Sequence, residues 1–453
     1  MKIKEQLLTL MLSVILQFIL TTADANEGPT VLAFEDHGYV NPFTGGVAWE
    51  TSNHADVLSM EWAFIGLSEV LPLCSGGFDW TSVDDFLATV DARGHQGILR
   101  PIVFGPGYGD ENYAPSDLLV NAFVYESTTF DNPAWNEASV QSCILKFIDA
   151  FALQYKNDQR VAYIQMGLVG LWGEHHLDGG PYNLANFPSF AFQKTMINHF
   201  IDGFGHFSTD LLTALSLDSA QDHGFFSSAD TSLDNLRFGF FDDSLLTANH
   251  AAGDNWRQDV APAAQLALHR QHGWGGEAYW SGCNSNGSWT TPPNDCGNGE
   301  TLSDQAERIG LNYMLGSPAF DDNSISSATL LAASQMMGYK FTATAATRLD
   351  ANTIHVTVEN TGAAFCPYMV EVCTIEGCGG DLSTLSPGSS RVVAVPALAA
   401  TSQVLYFNSP RLNPNSSQKI RWSNVGADDE AATLTVTVDA AGLIFADGFE
   451  SIP

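Results

Sequence analysis

Between about residues 45 and 340 the chain alternates two kinds of apolar pattern. Short unbroken apolar runs give way to stretches in which apolar residues recur at helical spacing. "GGVAWET" (45–51) and "VLSMEWAFIGL" (57–67) predict the first two strands. "TSVDDFLATVDARGHQGILRPIVF" (81–104) predicts a complete helix–strand unit. Ser82 is placed to cap the helix, with Asp84 and Asp85 in its electropositive first turn. Val83, Phe86, Leu87 and Val90 share one face, and Gly94 ends the helix. "SVQSCILKFIDAFALQY" (139–155) predicts a second helix, packing through Ile144, Phe147, Ile148 and Phe151. "RVAYIQMGLVGLW" (160–172), "LLTALSL" (211–217), "LRFGFFD" (236–242), "GWGGEAYW" (273–280) and "IGLNYMLG" (309–316) predict further strands.

Strand and helix alternating about eight times is the pattern of a parallel α/β protein. The run length favours a (β/α)8 TIM barrel over an open sheet. An open sheet of the nucleotide-binding kind needs a phosphate loop. "GPGYG" (105–109) follows a strand, but no helix begins at its end and Pro115 comes soon after. Beyond residue 340 the period becomes two. "NTIHVTVEN" (352–360), "RVVAVPAL" (391–398), "SQVLYFN" (402–408) and "TLTVTVD" (433–439) alternate between turn-forming residues, which predicts a small all-β sandwich. The expected domains are therefore a barrel over 26–340 and a sandwich over 341–453.

Charge narrows the partners. The chain has 453 residues, 51 acidic against 18 basic, and a formal net charge of −33. Such a surface repels phosphate backbones and anionic lipid heads, so nucleic acid and membrane-surface binding are disfavoured. Aromatic residues at 11% argue against disorder. Lys2 and Lys4, the apolar run Leu7–Leu20 and then Ala23-Asp24-Ala25 form a secretory signal over 1–25. The mature chain is expected to begin near Asn26, to be secreted or held in the cell envelope, and to insert no segment into a membrane. Export permits disulfides. Of seven cysteines, Cys283 with Cys296 closes a Gly/Asn/Pro-rich loop, and Cys373 with Cys378, or either with Cys366, staples a hairpin. No Cys/His grouping has zinc spacing, and neither a metal nor a cofactor is expected. Asp321-Asp322-Asn323 reads as a solvated turn rather than a calcium loop.

In a barrel, chemistry gathers at the C-terminal ends of the strands. The predicted strands end in Arg100 (third), Glu174 (fourth), Asp242 and Asp243 (sixth) and Glu277 (seventh). Trp172, Trp274, Tyr279 and Trp280 lie nearby in sequence, whereas Trp49 and Trp62 read as core. Two carboxyl groups across an aromatic mouth suit glycosidic cleavage, one protonated and one ionised. Burial and mutual repulsion would separate their pKa values. Flat indole faces suit the C–H faces of sugar rings. Glycines before both glutamates would let a ligand approach the backbone. Arg100 is expected to pair with a barrel carboxylate. His175 and His176 read as loop and hydrogen-bonding residues, with His176 also a candidate substrate contact.

Glutamates ending strands four and seven are the layout of the clan A glycoside hydrolases. "DNPAWNE", "RVAYIQMGLVGLWGEHH", "FGFFDDS", "GGE" and "MGYKFTATAATRLDANTIHVTVENTGAAFCPY" together resemble a family of exported bacterial proteins that join a glycosidase-like barrel to a C-terminal β-sandwich. The resemblance implies that Glu174 is the acid/base and Glu277 the nucleophile. It departs at Gly173, where clan A enzymes usually carry the asparagine that binds the sugar 2-hydroxyl. Asn183 or His176 would then take that role. The alternative is a non-catalytic carbohydrate-binding or cell-envelope protein on the same scaffold, since a fold does not fix a chemistry. The terminal "GLIFADGFESIP" resembles short tags on exported bacterial proteins.

Overall fold

The computed structural model describes residues 30–35, 38–49, 57–107, 112–177, 185–205, 212–216, 238–245, 270–278, 301–316, 325–416 and 418–438. The strands in chain order are β1 (Thr30–Val31), β2 (Gly45–Trp49), β3 (Met60–Gly66), β4 (Gln96–Ile102), β5 (Val120–Tyr125), β6 (Thr128–Pro133), β7 (Val161–Gln165), β8 (Leu212–Ser216), β9 (Gly239–Leu245), β10 (Trp274–Ala278) and β11 (Leu311–Leu315). They are followed by β12 (Phe341–Asp350), β13 (Thr353–Asn360), β14 (Glu371–Thr374), β15 (Gly377–Gly379), β16 (Ser390–Pro396), β17 (Ser402–Asn408) and β18 (Thr433–Thr437). The described helices are α1 (Leu67–Val70), α2 (Thr81–Ala92), α3 (Ala138–Tyr155), α4 (Phe190–Phe204), α5 (Leu302–Ile309) and α6 (Ser327–Gln335).

Strands β2, β3, β4, β7, β8, β9, β10 and β11 pair in parallel, and the ring closes between β11 and β2. Alternation along each strand separates two cores. Val83, Phe86, Leu87 and Val90 of α2 and Ile144, Phe147, Ile148 and Phe151 of α3 pack on the outer face of the sheet, as their spacing predicts. Met60, Trp62, Ile98, Tyr163, Phe241 and Tyr313 fill the lumen.

Local chemistry differs from expectation at several ends. Ser82 does not cap α2. Trp80 is the cap residue, and the Asp79 carboxylate accepts both the Thr81 N–H (3.0 Å) and its hydroxyl. Helix α5 is not among the predicted elements, although its signal is present. Thr301 and Asp304 form a reciprocal capping box, and Gly310 ends the helix at φ +75°. Hairpin β5–β6, inserted between β4 and α3, is likewise unpredicted. The predicted strand 160–172 stops at Gln165, because Gly167 and Leu168 both take positive φ.

The C-terminal region has two antiparallel sheets, β1-β12-β13-β16 and β15-β14-β17-β18, around a core that includes Val356, Val393, Leu405 and stacked Phe407 and Trp422. Pairing of β1 with β12 draws chain N-terminal to the first barrel strand into this sandwich. The sandwich also enters the barrel. Buried Tyr368 sits among the lumen residues, its ring 4.7 Å from Phe43, and its hydroxyl donates to the Ala162 carbonyl. The Arg411 guanidinium donates to the carbonyls of Lys156, Asp158 and Val161. The foot of the barrel is thus corked by sandwich side chains.

Cys373 bridges Cys378, one of the expected options, and Cys366 is a buried free thiol. Cys74 bridges Cys143, a pairing the spacing did not single out. It closes a separation of 69 residues. Replacing both by serine should lower unfolding free energy by about 4 kcal/mol through the freed unfolded chain. Urea denaturation of the double variant measures this. Cys283 and Cys296 lie outside the described residues, as do the signal 1–25, residues 321–323 and the terminal stretch from 439 on. No described helix is long and apolar enough to cross a membrane.

Candidate active site

The site is built where β4, β7 and β10 end. Ile98 faces the lumen, so Arg100, two residues on, points the same way. Its guanidinium lies over Phe241 (4.5 Å), Trp62 (5.0 Å) and Phe64 (5.9 Å). Arg100 is only 1% exposed, so its charge requires a partner. That partner is Glu174: Arg100 Nη1 donates to Glu174 Oε1 at 2.8 Å. Arg100 Nε donates to Gln165 Oε1. The same oxygen accepts the Trp62 indole N–H at 3.0 Å, while Gln165 Nε2 faces the Tyr313 hydroxyl at 3.3 Å. Gln165 therefore fixes the arginine that fixes the glutamate. It was missed in the sequence, where its only signal is one amide in the apolar strand "VAYIQ".

Glu174 arrives on a tightly folded segment. Gly167, Leu168, Gly170, Trp172, Gly173 and His175 all have positive φ. For Leu168, Trp172 and His175 this is a conformation that L residues rarely adopt, and it costs energy unless the surroundings impose it. Here backbone bonds do so: Leu168 N–H to Pro101 O (2.7 Å), Leu171 N–H to His176 O (2.9 Å) and His175 N–H to Val169 O (2.8 Å). The glycines leave room for this folding. A Cβ on Gly167 would stand 2.1 Å from Pro101 O, and one on Gly170 would stand 2.4 Å from His176 O. Half-buried Trp172 donates its indole N–H to Pro106 O (2.9 Å) and meets the edge of Tyr125 on β5. His176 is buried, with Nε2 3.2 Å from Glu174 Oε2. His175 is buried as well.

Glu277 lies near the C-terminal end of β10. Gly275 faces the lumen residue Tyr313 and Gly276 faces outward onto Leu245, so Glu277 returns to the lumen side. These two glycines make room for protein, not for ligand: a Cβ on Gly275 would lie 2.1 Å from Tyr313 Cζ, and one on Gly276 would lie 2.2 Å from Leu245 Cδ1. Gly173 likewise serves its own loop, facing Gly167 Cα. The expectation that these glycines admit substrate is therefore corrected.

Electrostatics separates the two carboxyls. Burial, then the nearby Glu174 carboxylate, push the Glu277 carboxyl up to about 8, with Arg100 pulling the other way. Burial also works to raise Glu174. There the His176 hydrogen bond and the Arg100 charge outweigh it and hold the group below the usual carboxylate range. Near neutral pH these surroundings favour an anionic Glu174 and a protonated Glu277.

The remaining expected contacts divide. Trp274 is corrected: it is 1% exposed, starts β10 and packs on Phe240 (5.0 Å) in the layer between strands and helices, away from the mouth. Asp242 is buried, in register with outward-facing Gly276, and alternates away from lumen-facing Phe241. That sets it on the other side of the strand from Glu277. Asp243 is the next residue on β9. Tyr279, Trp280 and Asn183 lie outside the described residues. Trp62 is core, as expected, but Trp49 is half-buried at the C-terminal end of β2, edge-on to Trp62 and Phe64. Among the described residues no His/Cys/Asp/Glu group could hold a metal ion.

No protein-family model and no curated protein matches the chain. Solved structures do. Endo-glycoceramidase II from Rhodococcus sp., in a lactosyl-enzyme intermediate, aligns over 81% of this chain and 100% of its own at 13% identity and a TM-score of 0.40. A family 39 glycoside hydrolase from the gut symbiont Bacteroides cellulosilyticus aligns over 79% of this chain and 80% of its own, at 11% identity and a TM-score of 0.35. A GH5_18 protein from Bifidobacterium longum subsp. longum, in complex with Manb1-4GlcNAc, aligns over 60% and 68%, at 10% identity and a TM-score of 0.37.

Proposed function

We propose that this chain is an exported hydrolase of glycosidic bonds in a neutral oligo- or polysaccharide. The observation that carries the reading is the pair of lumen glutamates in unlike surroundings, Glu174 held by Arg100 and His176 and Glu277 buried close to the Glu174 carboxylate, which favours opposite charge states. Cleavage of a glycoside needs a proton delivered to the departing oxygen and a negative group at the positively charged anomeric carbon. Glu277, neutral near pH 7, is suited to give the proton. Glu174, ionised by Arg100 and His176, is suited to attack the anomeric carbon or to stabilise its charge. This division is the reverse of the one implied by the clan A resemblance. It follows from which glutamate the arginine holds. Trp172, half-buried beside Glu174, offers an apolar face to the sugar, and His176 and Arg100 complete the polar wall. No metal or cofactor takes part in the proposed reaction.

A second reading is favoured by the same ion pair. A glutamate locked to a buried arginine can serve the fold alone, leaving a sugar-binding protein without turnover. Release of reducing sugar from a glycan panel separates the two: binding without release in the intact chain would rule out the hydrolase.

The charge states fix a pH dependence. Activity requires Glu277 protonated and Glu174 ionised. kcat/KM should therefore fall as pH rises through about 8, where Glu277 loses its proton. On the acid side it should fall only below the ordinary glutamate range, where Glu174 gains one. A pH profile of kcat/KM on the intact chain checks both limbs. An alkaline limb that persists unchanged in Glu277→Gln would remove that group from the acid role.

A further inference from the structure

We propose that the cleft between the barrel foot and the sandwich is a binding site for a small oxyanion of the phosphate type. The cleft has a volume of about 270 Å³ and lies at the opposite end of the barrel from Glu174 and Glu277. Its walls come from the entry to β2, from the turn before β4 and from the sandwich segment Gln418–Arg421. Arg93, Lys419, Arg421 and His95 all line it, and among the described residues no aspartate or glutamate does. In a chain with 51 acidic and 18 basic residues, that is a local inversion of the overall charge.

The cations are not equivalent. Buried Glu61 accepts from Arg93 Nε (2.7 Å) and stands 2.7 Å from His95 Nδ1, so this part is already compensated. Among the described residues neither Arg421 nor Lys419 has a carboxylate within ion-pair distance. The Arg421 guanidinium is stacked over Tyr39 at 4.0 Å, and its Nε and Nη1 donate to the carbonyls of Asp429 (2.9 Å) and Lys419 (3.2 Å). Among the described residues its Nη2 has no hydrogen-bond acceptor. Lys419 Nζ donates one hydrogen, to Glu430 O at 2.9 Å, and has two more. Burial lowers the Arg421 pKa, which marks a desolvated cation that an anion would stabilise. The planar fork is thus fixed with one arm open beside an ammonium, the donor set that grips a phosphate or sulfate oxygen pair. Asp429 is the acidic residue whose charge acts on the fork, and burial outweighs it.

Titration calorimetry on the full chain tests the site, with inorganic phosphate and glucose 6-phosphate as probes and ionic strength held constant by chloride. Saturable phosphate binding is expected, weakened roughly tenfold in Arg421→Met and in Lys419→Met. Lys419 is exposed, so its variant keeps the test valid if Arg421→Met fails to fold. Comparable binding of the sugar phosphate identifies an esterified group as occupant, and binding of phosphate alone identifies the free ion. Either result supports the site. No saturable heat in the intact chain, or unchanged binding in Lys419→Met, overturns it.

Discussion

Glu277→Gln should lower kcat/KM on alkyl glycosides by roughly 10²–10⁴-fold, the usual contribution of a positioned proton donor. The size of the loss should depend on the leaving group. An alkoxide needs the proton, whereas a nitrophenolate departs without it. On nitrophenyl glycosides the same variant should therefore keep most of its rate. Glu174→Gln should lose activity on both classes, because a neutral amide can neither attack the anomeric carbon nor balance its charge. Steady-state rates of the two variants on matched alkyl and nitrophenyl substrates make the comparison. The opposite pattern, with Glu174→Gln rescued by the better leaving group, would return the acid role to Glu174. Full activity of both variants on both classes would end the hydrolase proposal. Each change swaps near-isosteric side chains, and Glu277→Gln removes no ion pair among the described residues.

The second large effect concerns stability. Arg100→Met should cost about 3–5 kcal/mol, because it leaves the Glu174 carboxylate buried beside apolar rings without its counter-charge. Gln165 Oε1 would at the same time lose one of its two donors. Adding Glu174→Gln to Arg100→Met removes the stranded charge, so the double variant should be more stable than the two single losses summed would allow. Urea denaturation of the single and double variants at pH 7 measures the coupling. Simple additivity would show that the ion pair is not what the arginine contributes.

The parts of this architecture that were legible in the sequence are those governed by periodicity. Val83, Phe86, Leu87 and Val90 predicted the buried face of α2 because a helix repeats its contacts at fixed spacing. "GILRPIVF" predicted a fully buried strand because both faces of a parallel barrel strand meet protein. The site was legible only as a set of residue types at strand ends. Which glutamate meets Arg100 depends on the fold of 167–176, and its several positive φ values leave no periodic trace. Trp274 could not be told from a sugar platform, because a tryptophan beside a glutamate reads alike whether the strand turns it toward the lumen or the helices. Tyr125 comes from a hairpin whose docking against Trp172 is long-range. Asp242 shares that difficulty: alternation decides its side, and the predicted strand gave no register.

Tyr368 sets a limit on how this architecture can be inherited. The lower lumen is finished by a ring that the barrel segment does not encode, held through its hydroxyl to Ala162 and through its edge to Phe43. Arg411 ties a second sandwich segment to the end of α3 and the start of β7. A lineage exchanging the sandwich for an unrelated module would leave an unfilled aromatic well beneath Glu174 and Glu277. Exchanging the sandwich is therefore expected to destabilise the barrel itself.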